Sequence, residues 1–249
     1  SISEIVGIYL GKVMAIVMRI FSVILLILVG TNFSLGPAAL IGKLTPESLN
    51  TTFWLIVILL YYFFATFLPI DKIIGKIYPL FGGALIIMAA GIAGVLLFSG
   101  SYVMPELTEF LGADAPAHPA GLPMWAMMFV TVACGAISGF HATQSPMMAR
   151  CMTSEREGRT VFYGAMVTEG VIALIWAAAG VSFYQGVGPL NDAISSLGAG
   201  NVVYEISTTM MGPVGGVLAM LGVIACPITS GDTAFRSARL VLADWLKLD

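Results

Sequence analysis

The run Gly139-Phe140-His141-Ala142-Thr143-Gln144-Ser145-Pro146-Met147-Met148-Ala149-Arg150 sets an imidazole, an amide and two hydroxyls into an otherwise apolar stretch. His141, Gln144 and Ser145 share one helical face through i+3 and i+4 spacing, with Thr143 in the same run. Pro146 has no N–H to offer the carbonyl of Ala142, which leaves a free acceptor in the patch. Such a group of donors and acceptors suits a proton, a cation or a polar substrate. If helix continues to Arg150, His141 lies roughly 13 Å from that end at 1.5 Å per residue. The plainer reading is a kinked helix whose polar groups bond to neighbouring helices.

Glu169 is the second candidate. It lies ten residues beyond Arg159, in the middle of an apolar stretch, or about 15 Å in. A carboxyl desolvated at that depth has a raised pKa and can load and release a proton. The alternative is a protonated Glu serving only as a hydrogen-bond donor between helices.

The third candidate is Cys226-Pro227-Ile228-Thr229-Ser230-Gly231-Asp232-Thr233-Ala234-Phe235-Arg236. Pro227 and Gly231 interrupt an apolar run, and Thr229 followed by Asp232 resembles a capping box, with Ser230 a second possible cap. The pattern predicts a helix break followed by a fresh N-terminus, an end that attracts anions. Alternatively the break sits at the membrane surface, and 232–246 is an interfacial helix with Phe235, Leu242 and Trp245 toward lipid.

One enzymatic reading competes. His141 and Ser145, at i and i+4, pair a base with a nucleophile, as an intramembrane serine hydrolase requires. No strained elbow or oxyanion loop accompanies them, and Pro146 directly follows the serine, so a non-enzyme is expected. No Walker loop, GxGxxG or HExxH occurs, and Cys134, Cys151 and Cys226 form no CxxC pair. Neither cofactor nor metal is expected. Basic residues without aromatic interleaving give nucleic-acid binding no support.

The elements that must carry these residues follow from composition. Of 249 residues, 58% are apolar and 10% charged, against about 45–50% and 25% in soluble domains. With mean hydropathy +0.95, the chain reads as an all-α integral membrane protein whose first partner is the bilayer. Six stretches approach the roughly 20 apolar residues that a span needs: 9–30, 52–70, 77–98, 122–140, 161–183 and 211–228. They form a single transmembrane domain over 1–249, and no period-two alternation suggests a barrel.

Basic residues alternate as six spans demand. Lys72 and Lys76, then Arg150, Arg156 and Arg159, then Arg236, Arg239 and Lys247 fall on one side with Lys12 and Arg19. Only Lys43 falls on the other, where 99–121 and 184–210 carry acids and no Lys or Arg. Both termini are expected to be cytoplasmic. Lys12 and Arg19 argue against a cleaved signal peptide, and without an initiator Met the chain is expected to be a piece of a longer protein.

The stretch Gly139 to Cys151 resembles the carbon starvation protein A family of bacterial membrane transporters. So do Thr229 to Ser237 and the span residues Ala165 to Glu169 between these two motifs. The resemblance covers the whole chain but only the central portion of the longer family members. It implies nutrient uptake across the bacterial cytoplasmic membrane during carbon starvation, of peptides or of pyruvate with protons. It also implies an inverted-repeat bundle with broken helices.

The expected function is therefore proton-coupled secondary import of a small anionic or zwitterionic nutrient. His141, Thr143, Gln144 and Ser145 line the path, Glu169 carries the proton, and Thr229, Ser230 and Asp232 receive a carboxylate. A passive channel is the remaining alternative, and the sequence leaves the oligomeric state open.

Overall fold

The computed structural model describes residues 2–67, 71–106, 124–136, 145 and 148–246. Among them every regular element is helical. Five helices come first: α1 Ile2–Leu10, α2 Lys12–Leu44, α3 Thr51–Phe67, α4 Asp71–Phe98 and α5 Met124–Ala136. A 3-10 turn at Glu155–Glu157 and a π-helical turn at Arg159–Gly164 lead into α6 Ala165–Phe183. Then follow α7 Val187–Leu197, α8 Ala199–Met220, a second π turn at Leu221–Ala225, and α9 Cys226–Leu246.

Among the described residues, three helical stretches are long and apolar enough to cross a membrane: Lys12–Gly42, Pro79–Phe98 and Glu155–Phe183. A shorter apolar helix covers Thr51–Ala65. The first expected span, 9–30, proves to be part of something longer. Helix α2 runs 33 residues, about 50 Å against a hydrocarbon core of about 30 Å. Its polar residues do not end it, because their hydroxyls turn back onto the helix. Thr31 Oγ1 donates to the Ile27 carbonyl at 2.8 Å, and Ser34 Oγ to the Gly30 carbonyl at 2.7 Å.

The chain forms two compact units. One comprises Ser1–Pro69, Phe129–Ala165 and Pro227–Asp249, and the other Ile70–Met128 and Met166–Cys226. In the first, α2 packs on α1 and α3. Leu26 meets Ala234 and Ala238 of α9, while Ala38, Ile58 and Tyr62 form a second cluster with Ile228 and Phe235 against it. In the second unit, Met88 and Ile92 of α4 close on Ala179 of α6 and on Val202, Ile206 and Met210 of α8.

The expected break at Pro227–Gly231 is not where the structure puts it. Backbone stays helical through Cys226 (φ −64°, ψ −46°), and α9 continues unbroken to Leu246. Pro227 has no N–H for the carbonyl four residues back, and the turn ahead of it widens to π instead of unwinding. The sharp kink lies earlier, at Gly212 (φ 65°, ψ −154°), directly before Pro213. Thr229, Ser230 and Asp232 are thus helix interior, and no N-terminus forms there to attract an anion.

Candidate functional site

Helix α9 carries Thr229, Ser230, Asp232, Thr233, Arg236 and Ser237 within two turns and a half, yet packs against apolar helices. Small residues allow the approach. Gly30 of α2 lies under the Phe235 ring, which a Cβ at that position would meet at 2.7 Å. Gly231 lies under the Tyr62 hydroxyl of α3, which a Cβ there would strike. Packing of this kind is how helices associate where lipid is as apolar as the side chains.

Tyr62 joins the two helices in two ways. Its ring sits 5.4 Å from that of Phe235, tilted by 52°, within the range of favourable aromatic pairs. Its hydroxyl donates to the Ile228 carbonyl at 2.9 Å. Phe235 is therefore held between α2 and α3, contrary to the reading that turned it toward lipid. The hydroxyl of Thr233 turns back to the Thr229 carbonyl at 3.0 Å.

At the centre is an ion pair. Arg236 Nη2 donates to Asp232 Oδ2 at 3.0 Å, one turn along the same helix. Asp232 is buried, at 5% exposure, whereas the Arg236 side chain keeps 23%. A buried carboxylate persists as an ion only with such a partner. The guanidinium has a fork of donors that fits a second carboxylate in the same plane. The arrangement can therefore exchange partners, an incoming carboxylate replacing Asp232 on Arg236.

The other expected site residues are placed as follows. Ser145 is helical and exposed in the first unit, while His141, Thr143 and Gln144 lie outside the described residues. Glu169 belongs to the second unit and is exposed on α6, on the side opposite Val167, Val171 and Leu174. Arg236 and Tyr62 were missed as site residues. The i, i+4 spacing of Asp232 and Arg236 announces the first. Nothing local announces Tyr62, whose partner lies 166 residues away.

Residues 1–191 match the family described as carbon starvation protein CstA. An uncharacterized membrane protein of Haemophilus influenzae is 36% identical over 76% of this chain. The peptide transporter CstA of Bacillus subtilis is 32% identical over 70% of it. The pyruvate/proton symporter BtsT of Escherichia coli is 29% identical over 45% of this chain and 14% of its own length. The chain spans 64% of the Haemophilus protein and 30% of the Bacillus one. No solved structure matches it.

Proposed function

The chain belongs to the carbon starvation protein CstA family, and from that premise we propose that it is part of a proton-coupled secondary importer of small carboxylate nutrients. Peptides and pyruvate share the carboxylate, and relatives are named for each. The membrane is the bacterial cytoplasmic one, crossed six times with both ends inside, and the setting is carbon starvation.

The observation that carries this reading is the Asp232–Arg236 pair on a polar helix packed among apolar ones. In the empty state Asp232 holds the guanidinium. A substrate carboxylate takes Arg236 over, and the displaced, buried Asp232 carboxylate takes up a proton. One proton thus accompanies one carboxylate, and the pair re-forms when both leave.

Thr229 and Ser230 lie on the same helix and offer hydroxyls to the rest of the substrate. His141, Thr143, Gln144 and Ser145 line the path, and Glu169 is a further proton-carrying carboxyl. Coupling of this kind separates a symporter from a passive channel.

The test is uptake into proteoliposomes under an inward proton gradient, with Arg236→Gln and Arg236→Lys beside the parent. Loss of uptake in Arg236→Gln with partial recovery in Arg236→Lys is expected. Parental uptake in Arg236→Gln would remove the pair from the mechanism.

A further inference from the structure

We propose that α7 lies flat in one interface of a zwitterionic lipid bilayer, with Ile194 and Leu197 resting on the acyl chains. This inference stands on the membrane reading alone and is independent of the transport mechanism.

Connectivity puts α7 at the end of an apolar stretch. The apolar stretch Glu155–Phe183 ends three residues before Val187 opens α7. Three extended residues reach about 10 Å, and the link is not extended. Gln185 has φ 55° and Gly186 φ 149°, a left-handed turn that folds the chain over the end of α6. The far end of α7 closes at Gly198 with φ 85°, and α8 begins at once. The helix therefore leaves the end of one apolar element and passes directly into α8, which the end of α6 meets at Glu205.

Aromatic side chains gather at the end of α6. Tyr102 stacks on Phe183 with centroids 6.1 Å apart, and Phe183 meets Tyr184 edge-on at 4.9 Å. Tyr204 packs with them against the core of this unit. Tyrosines concentrate where hydrocarbon meets headgroups. The Tyr184 hydroxyl donates to Glu205 Oε2 at 2.8 Å, which ties the end of α6 to α8 beneath the strap.

At 100° per residue, Val187, Leu190, Ala193, Ile194 and Leu197 fall on one side of α7, and Asn191, Asp192, Ser195 and Ser196 on the other. Leu190 and Ala193 face the core of the unit, with Leu190 packed over Gly180. The stripe then continues past the protein. Ile194 is 40% exposed and Leu197 41%. The Ser196 hydroxyl folds back onto the Asp192 carbonyl at 2.8 Å.

Charge selects the lipid. Residues 184–210 contain Asp192 and Glu205 and no Lys or Arg, so anionic headgroups are repelled and zwitterionic ones fit.

The experiment reads depth. With Cys134, Cys151 and Cys226 replaced by Ala, single cysteines at Asp192, Ile194, Ser195 and Leu197 are spin-labelled. The protein is reconstituted in phosphatidylcholine vesicles. Collision rates with oxygen, which enriches in lipid, and with a water-soluble nickel chelate are then compared. Labels at 194 and 197 are expected to meet oxygen several-fold more than chelate, with the order reversed at 192 and 195. Chelate access at all four sites would mean that α7 stands off the membrane. Exclusion of both reagents at 194 and 197 would mean that protein covers them. Either result overturns the proposal. Only variants with the parental helix content by circular dichroism are scored, and Ile194→Cys and Leu197→Cys each give the reading alone.

Discussion

The Tyr62 hydroxyl donates to the Ile228 carbonyl at 2.9 Å, fastening α3 to the first turn of the helix that carries Asp232 and Arg236. The same hydroxyl lies over Gly231. The hydrogen bond fixes the height of α9 against α3, and the missing side chain at Gly231 lets the two come that close.

Tyr62→Phe keeps the ring against Phe235 and loses only the hydrogen bond, a change of about 0.5–1.5 kcal/mol. Gly231→Ala drives a methyl into the hydroxyl and is expected to cost more, about 1–3 kcal/mol as overpacking. Removing the hydroxyl makes room for the methyl. The double variant is therefore expected to be more stable than Gly231→Ala alone, read as the apparent midpoint of thermal unfolding in detergent. Simple additivity of the two losses would show that the hydroxyl and Gly231 are not in contact.

Arg236→Ala removes the guanidinium from a carboxylate that is 5% exposed. Breaking a buried pair costs about 3–5 kcal/mol, and the partial exposure of Arg236 brings the expectation toward the lower end. Asp232→Asn added to Arg236→Ala removes the buried charge and is expected to restore part of the loss. Equal midpoints for the single and double variants would deny that the charge is buried.

The helical membrane character of the chain was legible because composition and apolar length dominate it. Boundaries were legible only where no polar residue could turn inward. Thr31 and Ser34 suggest the end of a span, but each satisfies its hydroxyl on its own helix. Gly231 gives one signal for two different uses, a break or a close approach. The structure shows the close approach to Tyr62, a contact no local pattern encodes. Pro227 likewise stands in continuous helix, because the π turn before it absorbs the missing donor. Asp232 reads in the sequence as part of a cap, and the structure makes it a paired carboxylate inside a helix instead.

Glu169 is exposed on α6, one turn from the exposed Met166 and on the side opposite Val167, Val171 and Leu174. A carboxyl set among apolar side chains in a bilayer is costly as an ion. Glu169→Gln, which keeps shape and removes the carboxyl, is predicted to abolish uptake driven by a pH gradient. Accumulation at the parental level in that variant would remove Glu169 from the proton path.

At the end of α6, burial and then the hydrogen bond to Glu205 push the Tyr184 phenol up to about 12. A raised value means that its contribution is full below pH 10, the ordinary value, and is lost as pH rises toward 12. Absorbance titration near 295 nm is expected to show one phenol ionising near pH 12 in the parent and absent in Tyr184→Phe. Loss in that variant of a phenol that ionises near the ordinary pH 10 instead would place the hydroxyl away from Glu205.

The central claim is that proton flux drives accumulation of a carboxylate solute. Its most direct test is uptake of labelled pyruvate and of a labelled dipeptide into proteoliposomes holding the intact protein, under an inward proton gradient. The account predicts that one of them accumulates above its outside concentration and that an uncoupler abolishes the accumulation. Uptake that only equilibrates, or that survives the uncoupler unchanged, would contradict it.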